Sequence, residues 1–523
     1  MRKARLIYVA LFGLAGALGG VVLLLHNSGW AQQTTLPLLR PLPPPAFPPN
    51  IVTLTPMEQL GKDMLYDTTL SNPEGYACAQ CHIPTAGFTG PSSVVNAISG
   101  PQPGVVLGRV SNRRPQSYTY AAFSPYGPVF NATLATWLGG TFWDGRTRDL
   151  AHQAQQPPLN PVEMDNTPTN GIYPPVFGGY SALLAQKLQS RPYTPLIQQI
   201  FGANVFTTYT PQQVFQLIFA QGVAVYQGTG EVCGFSSKYD ASIYGVPPKT
   251  LYTLSASEER GRILYGVGPN PTNDPTYGGA QCFQCHSSAA LATALPSVTA
   301  LAGGRELFTM FCYANIGTPK NLTMPFYKMT DNLVGGCSTN PHGCNSLGIN
   351  YIDYGLGANP NPAPDGTVFD NPATNAQYLG LFKTPSNRDV DLRPTPTFVK
   401  AYMHNGVHKS LQKVVHFYNT RNLTTQPGEV IDFTKPNPYA GLVGTPLWPP
   451  PEVLANVQNA IGFTPAQAAA AGTTGVTAEN GQVGNLGLTA SQEADVVNFL
   501  KILSDFYTPP NPVANPVTAY VAP

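Results

Sequence analysis

Cys78-Ala-Gln-Cys81-His82 and Cys282-Phe-Gln-Cys285-His286 are two copies of one pattern: two thiols spaced by two residues, followed at once by an imidazole. The spacing has a chemical meaning. Two thiols add to the two vinyl groups on a porphyrin edge, and the adjacent His then swings its ring beneath the iron. The chain holds eight Cys and eight His in 523 residues, so two chance copies are not expected. The rival reading, a disulfide or zinc site that happens to be followed by His, leaves the repetition unexplained. Each motif therefore predicts one covalently bound haem c, with His82 and His286 as the respective iron ligands.

Haem attachment of this kind requires export, and the N-terminus provides for it. Arg2, Lys3 and Arg5 precede an uncharged, mostly apolar run from Leu6 to Leu25, and Gly29-Trp30-Ala31 offers a small-residue cleavage site. The run is long enough to be read either as a signal peptide or as a membrane anchor. Both place the rest of the chain in the periplasm. A Pro-rich leader occupies residues 32–50. The formal net charge is +1 and only 11% of residues are charged, which excludes the dense basic patch that nucleic acid binding needs. With 54 Pro and 51 Gly, much of the chain is expected to be loop.

A repeat sets the expected domains. Thr55-Pro56-Met57-Glu58 and Ser255-Ala256-Ser257-Glu258 are both helix-capping sequences. Each is followed by Gly (Gly61, Gly261), an apolar turn ending in Tyr (Tyr66, Tyr265), and then the haem motif. A third capping sequence, Thr489-Ala490-Ser491-Gln492, opens an apolar-faced segment over Glu493–Phe506 that reads as a closing helix. The expected fold is mainly α, with two tandem cytochrome c-type domains at 51–245 and 246–510, long Pro/Gly-rich loops and insertions, and a tail at 511–523. The remaining cysteines, Cys233, Cys312, Cys337 and Cys344, lack His at ligand spacing. In an oxidising compartment they are expected to form two disulfides, with the pairing left open.

The residues around these motifs resemble the bacterial dihaem cytochrome c peroxidase family, including its MauG-like branch. Phe142-Trp143-Asp144-Gly145-Arg146 looks like a motif of that family, and Gln153, Pro157 and Glu163 follow at family spacing. The resemblance implies that Trp143 relays electrons between the haems, while Gln153, Glu163 and Pro157 line the distal side of the first. Ala401–Gly406 and His416-Phe417-Tyr418-Asn419 resemble the segment that supplies the second haem's distal ligand. Tyr418 occupies that position, as in the MauG-like branch, with Met403 as the rival. Two departures stand out. Ile98 occupies the position of a second histidine, which implies an open first haem. Arg114 replaces an Asn that supports a calcium between the haems, so calcium is left open.

By this resemblance the chain activates hydrogen peroxide at the first haem. Glu163 serves as acid and base in turn, Gln153 orients the peroxide, and oxidising equivalents spread through Trp143 to the second haem. The electron source would be a cytochrome, a cupredoxin or a protein substrate; a homodimer is left open. A non-catalytic dihaem electron carrier is the alternative.

Overall fold

Thr55 opens the first helix by reciprocal capping. Its hydroxyl accepts from the Glu58 N–H, the Glu58 carboxylate accepts from the Thr55 N–H at 2.7 Å, and Pro56 fills a position that needs no donor. The helix runs from Pro56 to Tyr66. Ser255 and Thr489 repeat the arrangement at the heads of helices Ala256–Tyr265 and Ala490–Lys501. The computed structural model describes residues 53–244, 252–270, 272–329, 341–423, 447–458 and 481–506. The expected N-terminal export segment and Pro-rich leader lie outside them, as do the C-terminal tail and Cys337. Among the described residues no helix is long and apolar enough to cross a membrane.

The third capped helix differs from its expected span. It begins at Ala490 and ends at Lys501 rather than running to Phe506. At its end the Ile502 N–H bonds to the Phe499 carbonyl and Leu503 N–H to Leu500, tightening the last turn. The chain then delivers Asp505 to the interior, where its carboxylate accepts from the Tyr120 hydroxyl at 2.5 Å and the Ser236 N–H at 2.7 Å. Burying that acid outweighs extending the helix.

The glycine of each repeat marks where two helices touch. A Cβ on Gly61 would stand 1.9 Å from the Gly222 carbonyl oxygen, on helix Gln221–Tyr226. A Cβ on Gly261 would stand 2.0 Å from the Asp495 carbonyl, on Ala490–Lys501. Each contact organises its own apolar cluster. Leu60, Met64, Leu65, Phe215, Phe219 and Tyr226 gather around the first, and Leu264, Tyr265, Phe308, Val496, Phe499 and Leu500 around the second. Burying each such side chain contributes about 1.5–3 kcal/mol. Cys78 and Cys285 pack against the first cluster and Cys282 against the second.

Among the described residues the fold is mainly helical, with four short strands. Strand β1 (Val129–Asn131) pairs antiparallel with β2 (Thr136–Leu138), Val129 opposite Leu138. Strand β3 (Tyr313–Ala314) pairs antiparallel with β4 (Phe382–Lys383), Tyr313 opposite Lys383. A bridge between Leu138 and Cys312 joins the two ribbons. A fully buried ion pair ties the sequence halves: the Arg388 guanidinium grips both Asp240 oxygens at 2.7 and 2.8 Å.

The expectation of two disulfides among the four remaining cysteines is corrected. Cys344 is disulfide-bonded, but Cys233 and Cys312 are buried free thiols. Cys233 donates to the Gln227 carbonyl and accepts from the Tyr120 N–H. Cys312 lies 3.4 Å from the Thr384 hydroxyl and against the Cys285 thiol. Different neighbours keep the two apart. Both behave as small apolar core residues satisfied by local polar atoms.

Candidate active site

The two Cys-x-x-Cys-His segments open onto two clefts. The first, about 1100 Å³, is lined by Cys78, Cys81 and His82 and by Trp143, Gln153, Pro157 and Glu163. The second, about 1370 Å³, is lined by Cys282, His286, Met403, His404 and Tyr418. The two share Arg114, Gln116, Ser117, Trp143 and Lys383, so the residue expected to relay electrons stands in their common wall.

Both motif histidines are oriented from behind. His82 Nδ1 lies 3.0 Å from the Phe88 carbonyl, and His286 Nδ1 lies 3.3 Å from the Phe308 carbonyl. A ring whose Nδ1–H donates to a carbonyl presents Nε2 as a lone-pair donor. Burial holds each imidazole at a pKa of about 4, which keeps it neutral and able to ligate. Thiol and neutral imidazole on one cleft wall fit a haem in both places: Cys78, Cys81 and His82 line the first cleft, Cys282 and His286 the second. His404 adds a third indication on the second cleft. It stacks on Phe382 at 3.7 Å, and its buried Nε2 has no hydrogen-bond partner among the described residues, as expected where a bound group completes the wall.

The Phe142–Arg146 motif is explained by its geometry. Thr141 and Thr147 bridge to close a tight loop, Phe142 takes a positive φ of 63°, and the Arg146 guanidinium lies 3.5 Å over the Phe142 ring. Asp144 accepts from Arg113 at 2.6 Å and Arg146 at 3.1 Å, and these cations hold its pKa near 2 despite burial. Gly145, at φ 69°, leaves room for the Tyr313 hydroxyl, which a Cβ would meet at 2.0 Å. The loop thereby fixes Trp143. Its indole N–H donates to the Arg114 carbonyl at 3.1 Å, and its own carbonyl accepts from the Lys383 N–H at 2.7 Å.

Gln153 belongs to the short helix Leu150–Ala154, whose cap Asp149 also holds His152. Pro157 lies in the following turn, Gln156–Leu159. Glu163 faces the same cleft. Its Oε1 accepts from the Ser111 hydroxyl and the Asn160 side-chain amide, both at 3.0 Å. The side chain reaches the cleft yet is surrounded by protein, and loss of hydration raises its pKa above the ordinary 4.5; Arg146 and the two hydrogen bonds oppose this. Sequence reasoning missed Ser111 and Asn160. Asn160 is visible in hindsight as part of Asn160-Pro161-Val162-Glu163, whereas Ser111 comes from a segment 52 residues away.

In the second cleft, helix Leu411–Thr420 contributes Tyr418, while Met403 takes φ 64° in a loop closed by the Tyr402–His408 bridge. Both expected ligands reach the cleft. Burial raises the Tyr418 pKa and the neighbouring Arg421 cation lowers it. Ile98 is 58% exposed at the end of helix Ser93–Ile98, outside the wall of the first cleft.

Comparison with known proteins agrees with this geometry. A family model described as di-haem cytochrome c peroxidase matches residues 55–246. The methylamine utilization protein MauG of Paracoccus denitrificans is 30% identical over 401 residues, covering 76% of this chain and 80% of that protein. The cytochrome-c peroxidase IdrP1 of Pseudomonas sp. (strain SCT) is 25% identical over 390 residues, covering 73% and 77%. In fold, the chain resembles the crystal structure of the diheme peroxidase BthA from Burkholderia thailandensis, with TM-score 0.55 and 24% identity over 88% of this chain and 92% of that one. The chain belongs to the MauG-like dihaem cytochrome c peroxidase family and is a haem peroxidase.

Proposed function

We propose that the chain is an exported, periplasmic enzyme that binds one covalent haem c in each of two tandem domains, 51–245 and 246–510, and reduces hydrogen peroxide in the first cleft. The balance is H2O2 + 2 e− + 2 H+ → 2 H2O. The observation that carries the proposal is the convergence of a half-buried, hydrogen-bonded carboxylate and an amide, Glu163 and Gln153, on the cleft that also holds the first Cys-x-x-Cys-His motif. A carrier that only passes electrons has no use for an acid–base group there.

When bound, haem supplies the redox-active iron at which peroxide is cleaved. The protein supplies the proton traffic and the positioning. Glu163 takes the proton from the near peroxide oxygen and delivers it to the departing far oxygen. Ser111 and Asn160 both bond to Oε1, which leaves Oε2 to face the substrate. Gln153 orients the peroxide by hydrogen bonding. Pro157 contributes an apolar stretch of wall. Ile98 is exposed and outside the cleft, and among the described residues His82 is the one imidazole lining it, so no second His there would compete for the iron. Electrons enter by the second cleft and pass through Trp143, which borders both.

In this reading Tyr418, which lines the second cleft, would help hold the second haem's iron, and a phenolate there would favour oxidised iron and lower its potential. The relatives named cytochrome-c peroxidase point to a cytochrome as reductant, and a cupredoxin or a protein substrate would serve in the same role. The test is low-temperature EPR of the fully oxidised holoenzyme, repeated after Tyr418→Phe. A high-spin signal beside a low-spin signal that the substitution alters is expected. Two low-spin signals indifferent to it would remove the open first site and the tyrosine ligand together, and leave an electron carrier.

A further inference from the structure

Arg114 stands where the two clefts meet and lines both. It holds Trp143 twice. Its guanidinium carbon lies 5.0 Å over the indole ring, and its carbonyl accepts the indole N–H at 3.1 Å. The rest of the residue grips the second half of the chain. The Arg114 N–H donates to the His404 carbonyl at 2.9 Å, and Nε donates to the Met403 carbonyl at 2.6 Å. A terminal nitrogen donates to the Pro115 carbonyl at 3.2 Å. Every one of these side-chain acceptors is a backbone carbonyl. The contrast is Arg113, one residue earlier, which takes Asp353 with two bonds of 2.6 Å and Asp144 with a third. Among the described residues Arg114 is thus a half-buried cation with no carboxylate partner. Burial lowers its pKa only to about 10, so it stays charged at neutral pH.

The resemblance to dihaem peroxidases leaves a calcium ion open for this space, and the residues do not fit one. Calcium takes about six to eight oxygen ligands. The position where an Asn oxygen would contribute carries Arg114 instead. The Met403 and Pro115 carbonyls already accept from its guanidinium. A metal ion here would meet a like charge a few ångströms away in a medium that screens poorly.

We propose that Arg114 takes the place of a metal ion between the two clefts, and that its fixed charge tunes Trp143. This rests on the reading that Trp143 relays electrons. A cation over an aromatic face stabilises the neutral ring and opposes loss of an electron from it. In the relay, one electron leaves the Trp143 ring for the peroxide-oxidised first site and one electron from the second site refills it. Arg114 makes the oxidised ring short-lived, so the indole conducts without resting as a radical. The same charge favours the reduced state at both iron sites. Arg114 is therefore a positioning and tuning residue, not a catalytic one.

The test uses holoenzyme and three readouts: calcium content after EGTA and gel filtration, the midpoint potentials of both haems by spectroelectrochemistry, and organic-radical yield by freeze-quench EPR after one equivalent of peroxide. Wild-type protein is expected to lack stoichiometric calcium and to keep its potentials after EGTA. Arg114→Gln is expected to lower both potentials and raise the radical yield roughly tenfold (about 1.4 kcal/mol), while Arg114→Lys stays near wild type. One calcium held per chain in wild type overturns the proposal. So does Arg114→Gln with unchanged potentials and radical yield. Should the Gln variant fail to load haem, the wild-type metal content and the Lys variant decide. Trp143→Phe separates the two readings: if redistribution of oxidising equivalents is unslowed, the relay is wrong, while the potential shift in Arg114→Gln still reports the charge.

Discussion

At the scale of single residues, the chemistry is set by how protein surrounds ionisable groups. Glu163 and Asp144 are both enclosed carboxylates, yet their pKa values move in opposite directions. Asp144 meets two guanidinium groups and is held near 2; Glu163 has one more distant cation and two neutral donors, and desolvation wins. The first is held as a strut, and the second is suited to the proton transfer proposed for it. Glu163→Gln is expected to cut kcat for peroxide by at least ~100-fold, the low end for loss of an acid–base group, with full haem content. Glu163 must be ionised to accept the peroxide proton, and its raised pKa keeps it protonated to higher pH than an ordinary glutamate. Activity should therefore climb with pH through a midpoint above 4.5. A pH profile of kcat/KM checks this, since that limb should vanish in the Gln variant. The residues responsible were readable from the resemblance of this segment to the dihaem peroxidase motif. The sign of the shift was not, because it depends on how far the surrounding protein strips water from the carboxylate against the opposing pull of Arg146, Ser111 and Asn160.

At the scale of elements, the repeated capping sequence and the glycine that follows it are two separate instructions. Thr55, Ser255 and Thr489 start helices wherever they are placed, because the cap is a local exchange of hydrogen bonds. Gly61 and Gly261 act later, by allowing one helix to lie against another at backbone distance. Gly261→Ala puts a methyl into the Asp495 carbonyl, and backbone must move to accept it. A loss of about 1–3 kcal/mol or more is expected, read as a lower urea midpoint. An equal loss in helix content without a change in cooperativity would indicate a local effect instead. The capping motifs also marked the start of the last helix correctly, at Thr489. Its end was misjudged because the apolar face continues past Lys501, while the demand to bury Asp505 against Tyr120 and Ser236 comes from residues more than 250 positions away.

At the scale of the whole molecule, the clefts depend on contacts between distant segments. Lys383 to Trp143, Arg114 to His404 and Met403, and Arg388 to Asp240 all join the first part of the chain to the last. Arg388 and Asp240 are both inaccessible to solvent, so removing one partner strands a charge. Asp240→Ala is expected to cost about 3–5 kcal/mol, measured by chemical denaturation of the holoenzyme. A loss below 1 kcal/mol would show that Arg388 finds another partner at no cost, for instance Asp505 nearby.

The amino-acid order alone determined the two haem motifs, the three helix starts and the mainly helical class, which follow from spacing within one segment, where a few bonds or turns define the geometry. Trp143, Gln153, Pro157 and Glu163 were picked out as a group by resemblance to a family motif, and they line one cleft. Only the tertiary structure decided that Cys233 and Cys312 stay free and that Trp143 borders both clefts. It also decided that Arg114 faces the indole with no acid among the described residues to neutralise it. These outcomes depend on which distant segments meet, and a buried charge or thiol takes its character from its neighbours in space, not from those in sequence.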